Sequence, residues 1–281
     1  MPETLTPPDT YPVTARNRVK RLHERGRYDR ASVHGILDAA MLCHIAYVID
    51  DQPYCTPTAF WREGEHLYWH GSSASRMLRT QRGGLPVCLT VTHLDSLVLA
   101  RSGFNHSVDY RSAMCFGTAC IVDDPAVKAQ ALDAMIDRFY PGRAAELRPI
   151  TEQELKATMV VGMEIEEASA KVRSRGIGDD EADYALPIYA ARFPVMQVIG
   201  ADEPCPRLPA GVAVPPGLAG FTPGRRLDDI MLESHRATFG EDWRAVGRWP
   251  GTAQQGVRRP CVRKNPLSPS KGPASARASF S

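Results

Sequence analysis

The sequence lacks any apolar run of about 18 residues, so no membrane-spanning helix is expected. Its start, Met1-Pro2-Glu3-Thr4-Leu5-Thr6, lacks a basic head followed by an apolar stretch, so no secretory signal is expected. There is no C-x-x-C. The seven cysteines, Cys43, Cys55, Cys88, Cys115, Cys120, Cys205 and Cys261, are odd in number and widely spaced. That points to a reducing, cytoplasmic compartment and away from a disulfide framework or a structural zinc. The eight histidines do not cluster as metal ligands, and no metal site is expected. No internal repeat is present. Acidic residues are missing from Trp243 onward, where eight basic residues fall, while residues 1–242 carry 26 − 32 = −6. A body of that sign is a poor generic binder of nucleic acid.

What is present is globular. The 281 residues are 43% hydrophobic and 23% charged, enough to bury a core without covalent staples. Prolines divide the chain, with 11 of 23 in residues 201–281. Three regions follow: a folded domain over 14–200, a loosely packed Pro-rich extension over 201–242, and a basic, disordered tail over 243–281. On this division a cut near residue 222 is expected to leave the fold intact.

Val33, Ile36, Leu37 and Ala40 mark a short helix beginning at Ser32. Met41–Ile49 reads as a continuous buried strand, Tyr54–Trp61 as a second and His66–His70 as a third, at the short spacing of an antiparallel meander. A helix is expected over Ser73–Gln81. Strands are expected over Pro86–His93, Ser96–Ser102, Arg111–Val122, Met159–Ile165 and Pro187–Ile199. Asp124-Pro125 opens another helix, and Thr151-x-x-Glu154 is a capping box. Six or seven strands, few helices and no β-α-β alternation indicate a mainly β (α+β) fold closed into a barrel.

Two segments carry chemistry. In Leu67–Arg79 an apolar strand runs into a hydroxyl-rich turn, Gly71-Ser72-Ser73-Ala74-Ser75, from which a helix starts with Arg76 and Arg79 one turn in. Free N–H groups, hydroxyls and guanidinium groups there suit a phosphate; an ordinary N-cap with solvated arginines is the alternative. In Phe104–Ser112 polar and aromatic groups lead into an apolar strand, either a ligand mouth or a surface loop. Gly176-Ile177-Gly178 is not a dinucleotide loop, because Glu181 stands at the sixth position and Asp179-Asp180 would repel a pyrophosphate.

Pro53–Thr58, Leu67–Arg79 and His106–Gly117, in that order, resemble the pyridoxamine 5'-phosphate oxidase-like, flavin-nucleotide-binding split-barrel family, and most nearly its nitroimidazole-resistance reductase branch. The resemblance covers about residues 14–200. It implies a six-stranded antiparallel split barrel with a few peripheral helices, a homodimer, and FMN held between subunits. It places His70, Gly71, Ser72, Ser75 and Arg76 at the FMN phosphate, and Thr56, Pro57 and Thr58 along the ring. Tyr110, Arg111 and Ser112 come from later strands. Arg111 and His106 are the candidate catalytic donors near the flavin N1 and C2 oxygen. The implied activity is oxidation or reduction of a small aromatic or nitro substrate, with NAD(P)H as electron donor. The alternatives are a flavin-binding module without turnover, or a barrel that takes haem or a deazaflavin. The resemblance is silent on residues 222–281.

Overall fold

The computed structural model describes residues 9–73 and 84–240. Most of the helix expected at Ser73–Gln81, with Ser75 and Arg76, lies outside the described residues, as does the basic tail. Nine strands form one antiparallel sheet: β1 Gly26–Arg27, β2 Leu42–Ile49, β3 Gln52–Glu63, β4 His66–Ser72, β5 Leu85–Leu99, β6 Ser107–Ile121, β7 Thr158–Glu164, β8 Glu167–Arg173 and β9 Ala191–Pro194. Six of them, in the order β6-β7-β4-β3-β2-β5, close on themselves through the β5–β6 pairing. This is the expected six-stranded barrel. Its split lies in the two long strands. One edge of β6 pairs with β8 over Tyr110–Phe116 and with β7 over Ala119–Ile121. One edge of β5 pairs with β2 over Cys88–Thr90 and with β9 over Ser96–Leu99.

Local chemistry sets the register. Asp50 and Asp51 both take positive φ, +50° and +59°, and form the two-residue loop joining β2 to β3, which starts the pairing at Ile49 and Gln52. Gly117 is required by close approach, since a Cβ there would strike the Glu164 carbonyl. The two strands expected either side of Asp95 are one, β5, whose register shifts at a bulge between Leu94 and Ser96. The late strand shortens to Ala191–Pro194, between prolines that cannot donate to a ladder. Strand β8 was not expected; its Ala168, Ser169 and Ala170 are small, buried and weakly patterned.

Helix α1 (Arg30–Asp38) is capped by Asp29, which accepts from the Ser32 amide, and drives Val33, Ile36 and Leu37 into the barrel core with Ile45, Phe60, Leu67 and Trp69. Helix α2 (Pro125–Phe139) starts at the Asp124 cap, and the short α3 (Glu152–Ala157) at the Thr151–Glu154 box. Helix α4 (Leu227–Phe239) lies in the Pro-rich extension and buries Ile230 and Met231 beside Phe139 of α2. This part of the extension is packed, not loose, so a cut near residue 222 would remove part of the core. Cys43, Cys55, Cys88, Cys115 and Cys205 are free thiols. No helix among the described residues is long and apolar enough to cross a membrane.

Candidate functional site

Half of the barrel's outer surface is covered by helices. Trp61, Tyr68 and Val160, from β3, β4 and β7, pack against Ala131 and Leu132 of α2. The other half is open. Along β2, Cys43, Ile45 and Tyr47 point into the core, while Leu42, His44, Ala46 and Val48 alternate outward into solvent. The expected continuous buried strand is therefore half-buried. Its outward residues continue across the sheet in two rows. One row runs Pro57, His44, Thr90, Met114, and the next runs Cys55, Ala46, Cys88, Phe116. Leu42 is 63% exposed, Val48 54% and Met114 42%. A folded chain rarely leaves such an apolar band bare to water without use for it.

Strand alternation sorts the sequence-predicted residues. Pro57 lies on the open face beside His44. Thr56 and Thr58 alternate to the other side, where the Thr56 hydroxyl is 3.0 Å from the Tyr47 hydroxyl. Tyr110 and Ser112 share the face of Met114, and the Ser112 hydroxyl donates to the Lys171 carbonyl at 3.3 Å. Gly71 and Ser72 end β4, paired with Met159 and Thr158, and the Ser73 amide donates to the Ala157 carbonyl at 2.9 Å. The turn is thus anchored to β7 and the end of α3. Beside it the His70 Nδ1 is buried without a hydrogen-bond partner, and burial pushes the imidazole below its usual pKa. Among the described residues this ring nitrogen is left without a partner, which suits a ligand group at the turn.

The two candidate catalytic residues are not brought together. His106 sits on an exposed hairpin, its Nδ1 2.8 Å from the Ser102 carbonyl. Arg111 lies five positions away, about 16 Å along an extended strand. It points to the face opposite Tyr110 and Ser112, the one it shares with the buried Ala113. There its Nε and Nη2 donate to Asp95 at 3.0 and 2.8 Å, and Nη2 donates to Asp228 of α4 at 3.2 Å. The hydrogen bond to Asp95 comes first among the causes that hold the guanidinium above its ordinary pKa. Arg226 grips Asp228 from the other side and lowers that carboxyl to about 2. These residues, with Arg192, line a cleft of about 420 Å³ whose charges are largely paired. Arg111 thereby ties α4 to the bulge of β5.

Sequence reasoning did not single out His44, which stands exposed on this face. The available signal was the two-residue alternation of Leu42, His44, Ala46 and Val48, hidden because both faces of β2 are largely apolar. Among the described residues no group of three or more histidines, cysteines and carboxylates could hold a metal ion.

Comparison with known proteins places this geometry. Residues 29–172 match the family model of pyridoxamine 5'-phosphate oxidase. No curated protein matches. Among solved structures, the flavocytochrome Anf3 from Azotobacter vinelandii is 42% identical, with a TM-score of 0.71 over 75% of this chain and 98% of that one. The FAD and heme binding protein from Mycobacterium smegmatis is 36% identical, with a TM-score of 0.68 over 72% of this chain and 98% of that one. With a closed six-stranded ring and a family match over half its length, the chain belongs to the pyridoxamine 5'-phosphate oxidase-like split-barrel family.

Proposed function

We propose that the chain is a flavin-binding redox protein of the flavocytochrome kind, acting as a homodimer with its cofactors on the open sheet face. The observation that carries this is the 42% identity to a flavocytochrome along 98% of that chain. The match takes in about 210 of the 281 residues, well beyond the 29–172 of the family model. The flavin in this reading is FAD, the nucleotide named for the Mycobacterium smegmatis relative, in place of the FMN expected from sequence.

The residues fit such a ligand. His70, Gly71 and Ser72 stand at the end where a phosphate would sit, and the half-buried His70 ring has a nitrogen with no partner among the described residues. Pro57, Tyr110 and Ser112 lie on the face open to a ring. Thr56 and Tyr47 brace β3 from behind. A bound flavin supplies hydride and single-electron transfer, and a haem supplies single-electron chemistry; the chain's part is to bind and orient them. NAD(P)H is the proposed donor and a small molecule the acceptor.

Absorbance of the purified full chain, followed by mass spectrometry of what denaturation releases, tests the reading. Flavin bands with released FAD and a Soret band on adding haemin are expected, and NAD(P)H should bleach the flavin. Released FMN would narrow the reading to the sequence expectation. A chain that takes up neither flavin nor haemin after reconstitution refutes it. Light scattering should give the mass of two chains.

A further inference from the structure

We propose that His44 is the axial ligand through which this chain holds haem iron, on the open face of β2. The inference rests on the haem half of the function proposed above and names the residue that would carry it.

The other histidines are engaged or badly placed. His34 and His235 are buried in a polar block beneath the barrel, each with its imidazole pushed down to about 3 chiefly by burial. His93 has its Nε2 3.0 Å from the Ile36 carbonyl. His106 is bonded to Ser102 on an outlying hairpin. His66 stacks on Tyr68, with ring centroids 6.2 Å apart, on the half of the barrel that α2 covers. His23 stands in a short 3-10 turn beside Arg25, away from the sheet face. His70 stands at the end of β4, at the turn assigned above to the flavin phosphate.

His44 differs in three ways. Its side chain is exposed and makes no hydrogen bond or ion pair among the described residues. Of its neighbours on the same face, Ala46, Pro57 and Thr90 are shorter than an imidazole and Leu42 is apolar, so none of them is charged. Around it lie Leu42, Val48 and Met114, all well exposed. An exposed imidazole within a flat apolar field suits a planar apolar macrocycle, whose iron takes a ring nitrogen while its faces cover hydrocarbon. The step is coordination alone: the lone pair of the unprotonated nitrogen forms the iron bond, and no electron changes hands. Cys55 and Cys88 flank Ala46 in the next row and are the rival ligands. Burial raises the Cys88 thiol above its ordinary pKa, which disfavours the thiolate that iron would need.

The test is haemin titration of the full-length chain, read by the Soret band, for wild type, His44→Ala, His70→Ala and Cys55→Ser. Circular dichroism melts confirm folding, which an exposed position should not disturb. His44→Ala is expected to weaken haemin binding at least tenfold and shift the Soret band, with added imidazole restoring the wild-type spectrum. Cys55→Ser is expected to keep it. If His44→Ala binds haemin with unchanged affinity and spectrum, the assignment is overturned while the haem reading stands. Loss of the band in His70→Ala or Cys55→Ser alone transfers the ligand to that residue and also overturns it. A wild type that takes up no haemin removes the haem reading and this inference together.

Discussion

Two regions of the molecule hold histidines in opposite states. Beneath the barrel, between α1, β3, α2 and α4, lies a buried ionic block. Arg62 donates to both Asp38 carboxylate oxygens, to the Gly64 carbonyl and to the His235 Nε2, and Arg138 reaches the Asp38 carbonyl. Burial alone would raise the Asp38 carboxyl; Arg62 outweighs it, with His235 and Arg138, and holds it below the usual range. Nearby, Tyr11 donates to Glu65, and its hydroxyl is 2.9 Å from the His34 Nε2. On the outer face of β2, by contrast, His44 has no partner among the described residues, and its surroundings there are apolar and open. A buried titratable group already bonded on several sides serves the fold. An accessible one with nothing to bond is available to a ligand.

The sharpest way to break this contrast is to empty the buried block. Asp38→Ala leaves Arg62 and Arg138 buried without their counter-ion, and should cost about 3–5 kcal/mol in urea unfolding. A loss under 1 kcal/mol would show that water reaches the block. Met231→Ala, at a fully buried position of α4, should cost about 2–5 kcal/mol and tests whether the Pro-rich extension belongs to the core.

Acid sharpens the comparison next. His34 and His235 are held near 3 in the fold and return to about 6.5 when the chain unfolds. The unfolded chain therefore takes up protons first as the pH falls. Their contribution is complete above about pH 6.5 and is lost progressively below it, by about 1.4 kcal/mol per pH unit for each histidine. Urea melts at pH 7, 6, 5 and 4 should show that slope, and His235→Leu should reduce it. The smallest effect belongs to the open face. Val48→Ser should change folding free energy by less than about 0.5 kcal/mol, measured at protein concentrations that keep copies apart. A larger loss would mean that this face is part of the chain's own core.

Several elements were legible because their causes are local. Asp124-Pro125 and Thr151-x-x-Glu154 cap the helices they announced. The short spacing of Leu42–Ser72 gave a meander, and it is one. Strand β8 was hidden by its small residues, and α4 by the prolines around it, although Leu227, Ile230, Met231 and Ser234 recur at helical spacing. The candidate site was half legible. Residues at the end of β4 were found through the turn after Gly71. Arg111 looked like a ligand group beside Tyr110, but a strand turns adjacent side chains to opposite faces, and Arg111 meets a carboxylate 117 residues away.

By itself the sequence determined what adjacent residues decide: caps, turns, the antiparallel order of strands and the absence of a long apolar helix. The tertiary structure alone decided which half of the barrel the helices cover, which arginines are paired and which histidine is bare. The physical reason is that propensity and capping act within a few residues of chain. Burial and charge pairing depend instead on groups that meet only when the sheet closes and α4 folds back upon it.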